Sequence, residues 1–284
     1  MNVGRNKAEL IRRAETLRAL HHGQTPLLML NIWDAASAVL VESLGFPALA
    51  TTSSGMANAL GYPDGEQVAR ADMLAAVARI TRSIEVPVSA DLEAGYGDDE
   101  TAVVETVQAA IAAGVAGFNL EDSRGDRLLP FEQAVSRVRA ARQAAEAAGV
   151  PLVINARSDA LHPGYVDGDA FAEAVRRANA YREAGADCLF LPFVSDAGII
   201  GRLVTSVDGP INILAGANTP PLPELARLGV ARVSVGGALA RAALGRVREV
   251  AEGVRQSGRF DFVRGIPGHD EMNTLLAGRP QPVK

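Results

Sequence analysis

The chain has 284 residues, 48% of them hydrophobic and 21% charged, with a net charge of −5. That length and apolar content suffice for a full-sized core, and α/β barrels of this size commonly form one domain, while an acidic balance without a Lys/Arg block excludes nucleic acid and anionic membrane surfaces as expected partners. A single cysteine, Cys188, leaves no internal disulfide, and with neither an apolar leader nor a run of roughly 18 apolar residues the expectation is a cytoplasmic protein.

Residues 6–22 place Leu10, Ile11, Ala14, Leu17 and Leu20 at helical spacing. This predicts a leading helix that lies across one end of the body. A strand-then-helix rhythm follows. Leu27–Ile32 reads as the first strand, and 35–44 as a helix closed by Gly45. The second strand spans 46–52 and its helix 65–84; the third strand spans 87–93 and its helix 98–113, with Asp98 or Asp99 as N-cap and Gly114 as stop. Strands four to eight fall at 116–121, 151–157, 187–192, 210–214 and 231–235. Their helices fall at 131–148, 169–184, 196–207, 222–228 and 238–256. Helices that end at Gly, with the next strand starting nearby and often at Pro, punctuate a parallel sheet. Eight such units predict a single-domain (β/α)8 TIM barrel over about 27–258, with the N-terminal helix ahead of it and a helical tail at 259–284.

In such barrels the chemistry sits at the C-terminal strand ends. Those ends carry Trp33 and Asp34; Ser53, Ser54 and Gly55; Asp91 and Glu93; Glu121 and Asp122; Asn155, Arg157, Ser158 and Asp159; and Asn212 and Gly216. The central stretch is Val86 to Gly97, in which Asp91 and Glu93, two apart on a strand, share a face. With Glu121 and Asp122 on the next strand, three or four carboxylates crowd together and call for a cation. Hard oxygen ligands suit Mg²⁺ or Mn²⁺; the plainer reading is solvated strand-end acids. Arg157 is suited to hold a substrate carboxylate bidentately, or else forms a structural ion pair. Ser53, Ser54 and Gly55 offer donors to a carboxylate or oxyanion, or form a simple turn. Asp64 reaches the metal through water, or belongs to an ordinary Pro-Asp-Gly turn. His162 reads as a surface histidine before an acid/base, and Cys188 as core. Gly216 and the Gly236-Gly237 pair offer a rival site, a backbone phosphate cradle.

Ser53-Ser54-Gly55, the Gly61-Tyr-Pro-Asp64 loop, Asp91-Leu-Glu93-Ala-Gly-Tyr-Gly97, Leu120-Glu121-Asp122 and Asn155-Ala-Arg157 together resemble the isocitrate lyase/phosphoenolpyruvate mutase superfamily. The resemblance runs from about Trp33 to Ala243. It implies a Mg²⁺-dependent barrel enzyme that forms or cleaves C–C or P–C bonds of small α-oxo or α-hydroxy carboxylates through an enolpyruvate-like intermediate. By the same resemblance Asp91 is the direct metal ligand, and Asp64, Glu93 and Glu121 hold metal-bound waters. Trp33, Ser54, Gly55 and Arg157 grip the oxo-acid, with Ser53 and Asn212 at the same end. The last helix is expected to exchange between subunits of a dimer or tetramer.

The loop after strand four, Ser123 to Pro130, lacks the Cys and His of the isocitrate and methylisocitrate lyases. It also lacks the Lys and Asn of the phosphonate branch, and strand six ends on Pro192-Phe193 instead of a His-Ser pair. The expectation is therefore a C–C lyase or decarboxylase with Arg157, Glu121 and Arg124 as its catalytic set. Arg124 or Arg127 would close over the substrate on a Gly125 hinge. The alternatives are a P–C bond enzyme and a non-catalytic or phosphate-binding barrel.

Overall fold

The computed structural model describes residues 7–277. In chain order it holds α1 (Lys7–Leu20), β1 (Leu27–Met29), β2 (Asn31–Ile32), α2 (Ala35–Ser43), β3 (Leu49–Thr51), α3 (Ser53–Ala59), α4 (Arg70–Ser83), β4 (Val88–Asp91), α5 (Glu100–Ala112) and β5 (Gly117–Glu121). A small hairpin follows, β6 (Ser123–Arg124) and β7 (Arg127–Leu128). Then come α6 (Phe131–Ala147), β8 (Val153–Arg157), α7 (Ala170–Glu183), β9 (Cys188–Phe190), α8 (Ala197–Ser206), β10 (Ile211–Leu214), α9 (Leu222–Leu228), β11 (Arg232–Ser234), α10 (Ala238–Ser257) and α11 (His269–Ala277).

The main sheet is parallel, in the order β1-β11-β10-β9-β8-β5-β4-β3-β2. β1 pairs with β11 and β2 with β3, so the two are halves of one strand interrupted at Leu30, and the sheet is a (β/α)8 barrel. The first strand has its expected span and is broken because each half follows a different neighbour. Asn31 stitches the seam: its Nδ2 donates to the Thr51 carbonyl at 2.8 Å, and its Oδ1 accepts from the Val235 and Gly236 N–H at 2.8 and 2.9 Å. Helix starts carry side-chain caps at Asp34, Asp99, Asp169 and Asp196, each accepting a backbone N–H from the first turn.

Two expected boundaries move. The helix expected from 65 begins at Arg70, which leaves 60–69 as a loop over the strand ends. Residues 53–55 open a helix of their own, α3, because Thr52 caps it. The segment 123–130 is the β6–β7 hairpin, turned at Gly125 with φ +63°.

The leading helix closes the barrel's N-terminal end. Ala14 and Leu17 of α1 bury against Leu27, Met29, Ala48, Ala50 and Val153. A Cβ on Gly117 would lie 3.0 Å from Leu17 and 2.5 Å from the Val153 carbonyl oxygen, so that plug needs glycine there. A cavity of about 680 Å³ beside the plug is lined by residues such as Leu20, Leu28, Leu44 and Phe46 and has no titratable side chain on its walls. The opposite end, where the strands finish, carries the polar groups.

Candidate active site

The site is assembled from β3, β4, β5 and β8 and the loops that leave them. β4 ends at Asp91, whose backbone N–H donates to Thr51 Oγ1 at 2.8 Å and whose Oδ2 accepts the Ser53 N–H at 3.0 Å. A carboxylate thus sits at the first turn of α3, where unpaired N–H groups favour negative charge. The Ser53 N–H, expected to be free for a ligand, is spent on Asp91, and the Ser53 side chain works against the rise of the Asp64 carboxyl. Gly55 is needed for packing. A Cβ there would lie 2.6 Å from Thr52, 3.0 Å from Ala240 and 3.1 Å from Trp33. Trp33 is half-buried against the core, and Ser54 Oγ lies 3.1 Å from Thr52 Oγ1.

Glu93 joins Asp91 by a different route from strand alternation. β4 stops at Asp91, and Glu93 has φ +51°, so a left-handed turn sets its side chain. Its Oε2 accepts the Glu66 N–H at 2.5 Å and its Oε1 the Tyr96 hydroxyl at 3.2 Å. Burial, reinforced by Asp91, pushes the Glu93 carboxyl up to about 7. Asp64 is also pushed up, by burial and then by Asp91.

β5 and β8 supply the other half. Glu121 Oε2 lies 2.6 Å from an Arg157 terminal nitrogen. Burial raises the Glu121 carboxyl, with Asp159, Asp91 and Glu93 adding to it against the pull of Arg157. Asp159 grips the same guanidinium from its side edge, 2.7 Å from Nε and 3.0 Å from Nη2. Of the five guanidinium N–H donors, Asp159 takes two, and Glu121 lies against a terminal nitrogen as an ion pair. Phe190 and Phe193 flank Arg157, with ring centroids at 5.7 and 6.0 Å.

Asp64, Glu93 and Glu121 each feel Asp91 as a like charge, which adds to the effect of burial in raising their carboxyls. Among the described residues no group of three acidic, His or Cys side chains is close enough to cage an ion directly. That donor set fits Mg²⁺, which keeps several waters and takes only one or two carboxylates directly, and it does not fit a cation that needs a full protein cage.

Several expected residues lie elsewhere. Asp122 turns away from the mouth and is buried, accepting from the Tyr181 hydroxyl at 2.6 Å, the Asp159 N–H at 2.8 Å and Arg177 at 3.1 Å. It anchors the wall and leaves the carboxylate cluster. Asn212 is fully buried in the barrel interior, its amide 3.3–3.4 Å from Ser234 Oγ. Asn155 is buried likewise, donating to Asn119 Oδ1 at 2.7 Å. Arg124 is engaged by Glu66, Gly97 and Asp98. His162 stacks between Tyr165 and Phe193 at 4.1 and 4.7 Å. Cys188 is core, its thiol pushed by burial up to about 12. The glycine cradle is partly filled by the chain itself: Asn31 takes the Gly236 N–H, and Thr219 Oγ1 takes that of Gly216 at 2.8 Å.

Sequence reasoning assigned no role to Thr52, Glu66 and Tyr96. Only Thr52 carried a signal, as an N-cap residue type ahead of Ser53-Ser54-Gly55.

Fold and site together define the class, a parallel (β/α)8 barrel with an acidic mouth at its C-terminal strand ends. The profile of the phosphoenolpyruvate phosphomutase family matches residues 17–255, and the chain belongs to that family, within the isocitrate lyase/PEP mutase superfamily. The chain is 31% identical over 218 residues to 2-methylisocitrate lyase of Escherichia coli (strain K12), covering 72% of this chain and 71% of that one. It is 29% identical over 268 residues to oxaloacetate decarboxylase of Bradyrhizobium sp., covering 90% and 89%. Among solved structures, 2,3-dimethylmalate lyase superposes with a TM-score of 0.82 at 27% identity, covering 93% of this chain and 95% of that one. These relatives are enzymes. No helix among the described residues is long and apolar enough to cross a membrane.

Proposed function

We propose that this protein is a Mg²⁺-dependent (or Mn²⁺-dependent) lyase or decarboxylase that cleaves a C–C bond of a small α-oxo or α-hydroxy carboxylate. The observation that carries the reading is the Glu121–Arg157 ion pair at 2.6 Å at the C-terminal strand ends, in a pocket of carboxyls where Asp91 raises Asp64, Glu93 and Glu121. Asp91 would hold the cation directly, and Asp64, Glu93 and Glu121 would hold its waters. When bound, Mg²⁺ supplies positive charge against the oxygen on which negative charge develops as the bond breaks.

The chain's own residues do the rest. Terminal N–H donors of Arg157 left free by Asp159 take both oxygens of the substrate carboxylate, and Asp159 with Glu121 fixes the plane of the fork. Phe190 and Phe193 shield that pair from water on one side. His162 is held against Tyr165 and Phe193, and Cys188 is enclosed in the core. Solvent at the mouth is then the proton source for the carbanionic carbon. Decarboxylation of oxaloacetate, for which two of the relatives are named, is the simplest reaction of this kind.

The test is thermal melting with oxalate, Mg²⁺, both or neither. Oxalate imitates a planar enolate with its carboxylate. At 100 times its Kd a ligand stabilises by about 2.7 kcal/mol, roughly 5–10 °C for a chain of this size. A rise that needs both components supports the reading. A melt indifferent to the pair sinks it, and a panel of oxo- and hydroxy-diacids then assigns the substrate.

The reading includes a homo-oligomer. α10 runs for 20 residues with only Ala240 buried, and Leu244 and Val247 are 54% and 62% exposed. Ala240, Leu244, Val247, Ala251 and Val254 fall at i, i+4, i+7, i+11 and i+14, one helix stripe. A second copy of the chain is the proposed cover. Leu244→Asp combined with Val247→Asp should convert the assembly to monomer in sedimentation velocity. A wild-type chain that is already monomeric at tens of micromolar removes this part of the proposal.

A further inference from the structure

We infer that Glu66 is a positioning residue that ties the β6–β7 hairpin to the acidic site, so that the hold on Arg124 and the placement of the Glu93 carboxylate form one linked arrangement. Its meaning for catalysis rests on the function proposed above. The linkage itself rests on hydrogen bonds.

Among the described residues, four that are not glycine have positive φ, and three of them are Glu66 (+57°), Glu93 (+51°) and Tyr96 (+58°). Such conformations persist where the surroundings over-determine them, and they cluster at functional sites. These three are bonded to one another in a closed ring. The Glu66 N–H donates to Glu93 Oε2 at 2.5 Å, the Tyr96 hydroxyl donates to Glu93 Oε1 at 3.2 Å, and the Tyr96 N–H donates to Glu66 Oε1 at 2.6 Å. The second carboxylate oxygen of Glu66 leads out of the ring and accepts from Arg124 Nη2 at 2.7 Å.

Three loops from successive barrel strands therefore meet at one side chain. Glu66 belongs to the loop before α4, Glu93 and Tyr96 to the loop after β4, and Arg124 to the hairpin after β5. Arg124 also donates to the Gly97 carbonyl at 3.0 Å and pairs with Asp98. The far side of the hairpin is held separately, by the Leu129 N–H on the Asp122 carbonyl at 2.7 Å and the Tyr165 hydroxyl on the Gly125 carbonyl at 3.0 Å. Ser123 of β6 donates to Asp159 and so leads toward Arg157 and Glu121, whereas Arg124 leads to Glu93. Arg124 itself touches neither Glu93 nor Asp91. The direct side-chain route from Arg124 to the Glu93 carboxylate runs through Glu66, with a backbone route through Gly97 and Tyr96 beside it, and the double variant separates the two.

Two measurements test this on the full chain. The first is Mn²⁺ affinity, read by electron paramagnetic resonance without substrate. The second is the rate of tryptic cleavage after Arg127 in metal-free protein. Glu66→Gln is expected to weaken Mn²⁺ binding roughly three- to tenfold and to speed cleavage. Arg124→Gln is expected to weaken Mn²⁺ by the same factor, and the double variant by no more than either alone, the signature of one shared path. A structural role confined to the hairpin predicts faster cleavage in Arg124→Gln with unchanged Mn²⁺ affinity, and that result overturns the inference. If the wild-type chain binds no Mn²⁺, the metal reading falls while the linkage is still judged by cleavage. Glu93→Ala, which removes both acceptor oxygens of the ring, must then speed cleavage after Arg127 as Glu66→Gln does, and a wild-type rate in Glu93→Ala overturns it.

Discussion

Asp91→Asn should remove Mg²⁺-dependent binding of oxalate altogether and lower turnover by roughly 10³-fold or more, the scale of losing a group that stabilises developing charge. Asparagine keeps the size of the side chain and can still accept the Ser53 N–H, now bonded at 3.0 Å. The cap of Thr52 on α3 and the bond from the Asp91 N–H to Thr51 Oγ1 involve other atoms. The fold is therefore retained, and what is lost is one unit of negative charge at the meeting point of Asp64, Glu93 and Glu121. Each of these three feels Asp91 as a like charge, which places Asp91 at the centre of the cluster. Melting with and without Mg²⁺ and oxalate, compared between wild type and Asp91→Asn, reads the effect directly. Retention of the full ligand-dependent shift in Asp91→Asn would show that the cation, if bound, sits elsewhere.

Asp91 was legible because a strand end is legible. The glycine stops at Gly45, Gly114 and Gly229 and the apolar runs between them fix where each strand finishes, and a charged residue one step past an apolar strand stands at the mouth of the barrel. The same logic located Glu121 and Arg157, which close on each other at 2.6 Å. It failed where backbone conformation departs from the strand. Period-two alternation assigned Glu93 to the face of Asp91, yet φ +51° shows that a turn brings it there. Counting every strand-end acid also put Asp122 in the carboxylate crowd, and the pull of Tyr181 and Arg177 on α7 takes it to the other side. The break at Leu30 depends on which neighbour each half-strand finds, a long-range fact with no local signal. Glu66 illustrates the limit most clearly. Its left-handed backbone and three partners come from segments up to 58 positions away, and nothing in Pro63-Asp64-Gly65-Glu66 distinguishes it from an ordinary turn.

Metal-free protein should be less stable at pH 8 than at pH 5, and Glu93→Gln should remove the share of that loss that belongs to Glu93, Glu121 and Asp64 being raised in the same direction. The ordinary carboxyl value for glutamate is 4.5, and the folded site raises it to about 7 through burial and the nearby Asp91. Between those two values the folded chain keeps a proton that the unfolded chain has lost. Stability then falls as pH rises through this window, since the slope follows the difference in bound protons between unfolded and folded states. Below about 4.5 both states are protonated and nothing is lost; above about 7 the whole shift has been spent. At 1.36 kcal/mol per unit the span corresponds to roughly 3 kcal/mol. Glutamine imitates the protonated carboxyl and stays neutral, so Glu93→Gln and wild type should melt together at pH 5 and diverge at pH 8, with the variant the more stable. Mg²⁺ should close that gap in wild type by favouring the ionised carboxylate, and should do less for the variant. Urea melts of both proteins across pH 5 to 8, with and without Mg²⁺, measure each part. A gap that stays constant across that range would mean that Glu93 is ionised throughout, and the enclosed, proton-holding carboxyl that Glu66 and Tyr96 frame would have to be given up.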